Sequence, residues 1–215
     1  MIYHDVEQGS EEWFRLRLGV PTASNYDMIL TPAKGEPSTS QRKFIAQLIG
    51  EQLASFLPAG APNYTSRAMD WGQQTEAEAR DFYRMERDTD VSNGGFCLTD
   101  DRRFGCSPDG LIGLKQLPSG LWTCKGALEL KCLQATTHTM HLMNGKKLPD
   151  DFRWQCHGHI IDTGAEWCDF LSYCTGLPPL LVRVEPNGDT DRLRVALDRF
   201  HGNYLAALAK VRGGK

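Results

Sequence analysis

Apolar and polar positions change period along the chain, and those changes divide it into elements. Ser10-Glu11-Glu12-Trp13-Phe14-Arg15-Leu16-Arg17-Leu18-Gly19 opens on a capping serine with acids in the first turn and closes on glycine, the punctuation of a short helix. A second short helix is expected after Pro21-Thr22-Ala23-Ser24. Thr31 to Ser40, with Pro32, Gly35 and Pro37, reads as a mobile loop. Helical patterns resume at about 40–57 and about 67–87. From Val91 to Leu133 short apolar runs alternate with Asn93-Gly94-Gly95, Pro108-Asp109-Gly110 and Pro118-Ser119-Gly120, which predicts successive strands joined by turns. A helix is predicted over about 149–163, then strands from Trp167 to Cys174 and from Leu180 to Glu185. The C-terminal helix, from Thr190 to Val211, carries Leu193, Leu197, Phe200, Tyr204 and Leu208 at helical spacing. This order predicts an α/β fold with a mixed central sheet flanked by helices, in a single domain over residues 1–215.

The strand Ala127 to Leu133 carries the chemistry. A period of two sends Leu128, Leu130 and Cys132 to one face and leaves Glu129 and Lys131 together on the other. An acid and an amine on an otherwise apolar strand are expensive to bury without a purpose. Upstream lies Ser107-Pro108-Asp109-Gly110. If that turn sits beside the strand, two carboxylates and an ammonium meet at one point, a hard-cation site suited to Mg²⁺ or Mn²⁺. On the helix at about 67–87, Gly72, Glu76, Ala79 and Tyr83 share one stripe, so Glu76 faces the packed side as a third carboxylate. Gln155, three residues after Phe152, offers a neutral donor or acceptor to the same site.

Composition changes this picture little. The chain is 40% hydrophobic and 24% charged, with a formal charge of −3, which neither supports nor excludes DNA, because a carboxylate-rich site offsets any basic surface. No apolar run is long enough for a membrane helix, and no secretory leader is visible, so the expected compartment is the cytoplasm. The seven cysteines are scattered with no Cys-x-x-Cys pair and read as small buried hydrophobes. His138-x-x-His141 and Cys156-His157-x-His159 lack the paired ligands of a structural zinc site.

The order Glu76, Pro108-Asp109, Glu129-x-Lys131 resembles the PD-(D/E)xK nuclease motif. More closely, the chain resembles the phage lambda exonuclease and YqaJ-like viral recombinase nuclease family. The matching blocks are Glu7-Gln8-Gly9-Ser10-Glu11-Glu12-Trp13, Leu16 to Val20, Thr22-Ala23-Ser24, Trp71 to Glu76, Cys106 to Leu111, Leu128 to Cys132 and the helix of Gln155. The resemblance implies a restriction-endonuclease-like fold and a 5′→3′ exonuclease that degrades one strand of linear double-stranded DNA. It implies two Mg²⁺ ions held by Asp109, Glu129, the Leu130 carbonyl and Glu76. Lys131 would orient and activate the attacking water, and Gln155 would steer that water or the scissile phosphate. Arg17, Ser24 and Ser107 match residues that grip a 5′-phosphate, and Met69 matches an apolar wedge at the duplex end. A homotrimeric ring and a single-strand annealing protein as recombination partner are implied likewise.

The chain departs from the family after Lys131. The next helix reads Thr136-Thr137-His138-Thr139-Met140-His141, without a basic residue for DNA until Lys146. The competing readings are a related endonuclease and a non-catalytic module that binds DNA ends or an annealing protein. A non-catalytic descendant has no reason to keep Glu76, Asp109, Glu129 and Lys131 together.

Overall fold

The computed structural model describes residues 1–54 and 67–213, with residues 67–74 described in backbone only. The main sheet has the order β4 (Gly110–Ile112), β7 (Gly126–Cys132), β8 (Trp167–Tyr173), β9 (Leu180–Val184). Strands β7 and β8 run parallel and the other two pairs antiparallel, so the sheet is mixed, as the sequence pattern predicts. The β7–β8 crossover carries two helices, α4 (Ala135–Met143) and α5 (Asp150–Thr163). A second sheet, β1 (Ile2–His4), β2 (Phe96–Leu98), β3 (Gly105–Cys106), and a small hairpin, β5 (Lys115–Gln116) with β6 (Trp122–Thr123), complete the strands.

The period of two in β7 assigns the layers. Leu128 and Leu130 pack with Ala79 and Tyr83 of α3 (Arg67–Arg87) and with Leu171 of β8. Ala127, Cys168 and Phe170 face the other way, into the larger core of Trp154, Cys156 and Ile160 on α5 and Leu193, Leu197 and Phe200 on α6 (Gly188–Val211). Helix α3 thus covers one face of the main sheet and α5 the other, leaving Glu129 and Lys131 between the sheet and α5.

Most predicted elements fall where the pattern puts them. In α1 (Glu11–Arg17) the Ser10 hydroxyl accepts from the Trp13 amide at 3.2 Å. The second short helix is a 3₁₀ segment, Ala23–Met28. Helix α2 spans Gln41–Ala54, and the rest of the predicted 40–57 helix lies outside the described residues. Helix α6 starts before Thr190 because Asn187 caps it, in a capping box with Thr190. Strand β1 has no counterpart in the sequence reading. Three residues give too short a pattern, and only pairing with β2 makes them a strand.

Helix α5 is buried nearly throughout its second half, including the ionisable Asp162. Its carboxylate accepts from the Tyr26 hydroxyl at 2.8 and 3.0 Å. Burial pushes the Asp162 carboxyl well above its ordinary value of 3.8; the Tyr26 hydrogen bond and the more distant Arg194 only partly oppose this. A raised folded pKa contributes stability that is fully present below the unfolded pKa and is lost as pH rises through the folded one. Asp162→Asn keeps an acceptor for Tyr26 and removes that slope. Its stability, followed by the melting temperature, should therefore gain on wild type as pH climbs from about 5 to about 8, by up to ~1.4 kcal/mol per pH unit. A difference that stays constant across that range would mean that Asp162 is already charged.

Candidate active site

The site is built where a strand runs out. Strand β4 pairs with β7 as far as Gly110 opposite Leu128. The next residue, Asp109, donates its amide to the Leu128 carbonyl at 2.9 Å. Its side chain then replaces the missing rung: Oδ2 accepts from the Leu130 amide at 2.6 Å. Within a strand one residue's N–H and C=O point to the same edge. The Leu130 carbonyl therefore lies on the edge that β4 has left, beside Asp109, with no hydrogen-bond donor among the described residues.

The turn carrying Asp109 is clamped from the N-terminal segment. Gln8 Nε2 donates to the carbonyls of Ser107 at 3.4 Å and Pro108 at 3.0 Å. Gly94 closes over the same turn so tightly that a Cβ there would sit 1.6 Å from the Pro108 carbonyl oxygen, which excludes every other residue.

Glu129 is 1% exposed. Its Oε1 is paired with the Lys131 ammonium, and its Oε2 lies 2.6 Å from Nε2 of His159 on α5. Burial works to raise this carboxyl, but Lys131 and His159 outweigh it and hold it below its ordinary value. Asp109 goes the other way, pushed well up by burial and by the Glu129 charge. Burial opposes the charge of Lys131, yet the Glu129 and Asp109 carboxylates raise its pKa, so it stands as an ammonium. Phe152 of α5 lies under this ammonium, with the ring centroid 5.3 Å from Nζ.

Glu76 of α3 joins from across a cleft of about 490 Å³ lined by Asp5, Glu7, Gln8, Glu76, Arg80 and Asp109, among others. Burial raises its carboxyl; Arg80 and Lys131 pull it down and Glu129 pushes it up, so it senses the same cluster. Arg80 is the one cation among the described lining residues. Gln155 is half-buried and makes no side-chain hydrogen bond among the described residues. It sits on α5 between Phe152 and His159, at the spacing that puts all three on the face meeting Glu129 and Lys131. Met69 lies in α3, but its side chain falls outside the described residues.

The three expected phosphate-gripping residues assemble through a fourth. Arg17 donates to Ser24 Oγ at 3.3 Å and to Thr22 Oγ1 at 3.1 Å. Its guanidinium stacks 4.2 Å from the Trp13 ring centroid, and Trp13 Nε1 donates to Ser107 Oγ at 2.8 Å. Among the described residues no carboxylate comes within 4 Å of Arg17, and burial lowers its pKa to about 10. A partly desolvated guanidinium without a counter-ion is a receptor for an anion. Trp13 was visible in the sequence only as an apolar helix position; its role as the link between Arg17 and Ser107 needs a contact across ninety-four residues.

The donor set suits a hard divalent cation. Asp109, Glu129 and the Leu130 carbonyl are all oxygen donors, and a bound cation would offset both the burial and the Glu129 repulsion that raise Asp109. Among the described residues no three His, Cys, Asp or Glu side chains are already drawn into a closed cage. Asp109 is turned to the Leu130 amide, and Glu129 is held by Lys131 and His159. Of the histidines considered for zinc, His159 bonds Glu129 at the site, and two others are committed elsewhere. His138 bonds Ser172 and the Pro178 carbonyl, and His157 bonds Thr190. All seven cysteines are free, and five of them are buried.

A mixed sheet between helices, with an acid at the end of one strand and Glu-x-Lys on its neighbour, defines the restriction-endonuclease-like fold. The chain belongs to the YqaJ-like viral recombinase domain family, whose model matches residues 12–166. Its structure is similar to that of an alkaline exonuclease, LHK-Exo, from Laribacter hongkongensis, with a TM-score of 0.74 and 28% identity over 94% of this chain and 96% of that one. LHK-Exo in complex with dAMP matches with a TM-score of 0.72 and 30% identity over 94% and 93% of the two chains. A phage related exonuclease from Haemophilus somnus 129PT shares the fold, with a TM-score of 0.62 at 11% identity over 89% of this chain and 96% of that one. Among curated proteins no sequence matches.

Proposed function

We propose that the chain is a Mg²⁺-dependent 5′→3′ exonuclease that degrades one strand of linear duplex DNA from 5′-phosphorylated ends, releasing 5′-mononucleotides and leaving a 3′ overhang. The observation that carries this reading is the closeness of two different sites. Ser107, at the end of the Arg17–Trp13 chain, and Asp109, at the cation site, are two residues apart, at most about 7 Å of backbone. A grip on the terminal phosphate so near the hydrolytic acids suits removal of one nucleotide at a time. The complex of the similar LHK-Exo with dAMP, a deoxynucleoside monophosphate, supports the same product.

Asp109, Glu129 and the Leu130 carbonyl are the groups to hold the metal, with Glu76 reaching it directly or through water. Two bound ions would lower the pKa of the attacking water and offset charge on the leaving 3′-oxygen. Lys131, as an ammonium between Glu129 and the Phe152 ring, orients that water against the phosphate. Gln155 approaches the same point from α5, and Arg80 offers a cation to the substrate backbone inside the acid-lined cleft. Met69 remains our candidate for the duplex-end wedge. By its family we also expect a homotrimeric ring, a single-strand annealing protein as partner, and residence in the cytoplasm of a bacterial host. Among the described residues no helix is long and apolar enough to cross a membrane.

The test is digestion of linear duplex with 5′-phosphate or 5′-hydroxyl ends, and of closed circles, by wild type and Arg17→Ala. Wild type should release mononucleotides with Mg²⁺, favour phosphorylated ends and spare circles. Charge-assisted hydrogen bonds contribute ~1.5–3 kcal/mol, so Arg17→Ala should lose about 10- to 100-fold of the end preference. Its rate on hydroxyl ends should change little. Cleavage of circles would make the chain an endonuclease, and binding of ends without release would make it a non-catalytic module.

A further inference from the structure

We infer that His159 is a positioning residue for the metal-holding carboxylate of Glu129, an inference that rests on the cation site proposed above. Glu129 is a buried side chain with both oxygens engaged, Oε1 by Lys131 and Oε2 by His159 Nε2 at 2.6 Å. A carboxylate held at one oxygen only is free to rotate about its last torsion. The hydrogen bond from α5 blocks that rotation. It leaves Oε1 directed to Lys131 and the site, while Oε2 stays committed to the protein.

Two features separate this role from ordinary core packing. The His159 ring is 1% exposed, and its second nitrogen, Nδ1, is buried with no hydrogen-bond partner among the described residues. Buried polar atoms are rarely left unpaired, and leucine would fill an apolar core position without that cost. The ring is therefore kept for its one bond to Glu129, in the tautomer that donates from Nε2. The bond also crosses layers: Glu129 is in the middle of β7, paired opposite Phe170, and His159 is in the packed half of α5. Helix and sheet pack closely here, so the donor is held as firmly as the strand. Partners that hold a metal-binding side chain typically contribute about 10- to 100-fold to metal affinity.

Glutamine carries an amide nitrogen at about the reach of His Nε2, whereas leucine has no donor. The experiment is a calorimetric titration of the purified protein with Mn²⁺ for wild type, His159→Leu and His159→Gln, each with a melting curve taken without metal. His159→Leu should bind Mn²⁺ about 10- to 100-fold more weakly. His159→Gln should recover affinity to within a few-fold of wild type, whatever either does to the melting temperature. If the leucine variant binds Mn²⁺ as wild type does, or glutamine loses as much as leucine, His159 is only packing and the inference falls while the cation site stands. If wild type itself takes up no Mn²⁺, the cation-site reading fails, and the inference with it.

Discussion

Lys131→Ala should abolish mononucleotide release from phosphorylated duplex ends while leaving the ends bound. The ammonium is the more exposed partner of the pair, its side chain 26% exposed against 2% for Glu129. Groups that orient or activate a reacting water typically contribute about 10²–10⁴-fold to the rate, and the loss should fall in that range. On the proposed function the end is gripped by Arg17, Ser24 and Ser107, which Lys131 does not touch, so the dissociation constant for a 5′-phosphorylated duplex in Ca²⁺ should stay near wild type. The substitution also has a signature in pH. Lys131 is the strongest influence holding the Glu129 carboxyl down. A depressed folded pKa contributes stability present above the unfolded pKa and lost as pH falls through the folded one. Without Lys131 that contribution shrinks, so the variant should lose its melting-temperature deficit on acidification. Hydrolysis within about tenfold of wild type would remove Lys131 from the chemistry.

The pattern of residues foretold this cluster because its geometry is local. Period two along β7 puts Glu129 and Lys131 on one side, and helical spacing puts Glu76 in line with Ala79 and Tyr83, both buried against the sheet. The register that brings Asp109 beside Leu130 was an assumption in the sequence; the β4–β7 pairing supplies it. What the sequence hides is contact between distant segments. His159 stood out in the sequence only within Cys156-His157-x-His159, set aside as a zinc site, because nothing in the spacing of α5 says which strand residue it meets. Gln8 and Gly94, which hold the Pro108 turn in place, sit in segments whose own patterns give no hint of each other. Strand β1 is too short to carry a period at all. The position of Arg17 was legible only through the family resemblance; its stacking on Trp13, and its lack of a counter-ion among the described residues, are facts of packing.

Arg183→Leu should be among the most destabilising single substitutions outside the site. On the α3 face of the sheet, Asp169 is fully buried. It accepts from Arg183 Nε at 2.8 Å and Nη2 at 2.7 Å, and from the Tyr83 hydroxyl at 2.8 Å, with Arg87 at 3.7 Å. Arg183 lies directly opposite Asp169 in the β8–β9 register and stacks 4.3 Å from the Trp167 ring centroid. Removing it leaves a buried carboxylate with only the Tyr83 hydroxyl and the more distant Arg87; breaking a buried pair typically costs about 3–5 kcal/mol, and these remaining partners and the partial exposure of Arg183 argue for the lower end. At about 2–4 °C per kcal/mol for a chain of this size, the melting temperature should drop by ~6–12 °C. The double variant Asp169→Leu/Arg183→Leu removes both charges and should recover most of that loss, because a buried ion pair contributes little net against apolar residues of similar volume. It will not recover everything, since Tyr83 then loses its acceptor. Burial and the Asp169 charge both hold that hydroxyl above its ordinary pKa, in the protonated form that donates. Tyr83 stands two turns from Glu76 on α3, so the same bond anchors the helix that brings the third carboxylate to the cleft. The double variant should therefore melt near wild type yet hydrolyse DNA more slowly. Equal melting loss in the single and double variants would show that packing, and not the stranded charge, is what Arg183 supplies.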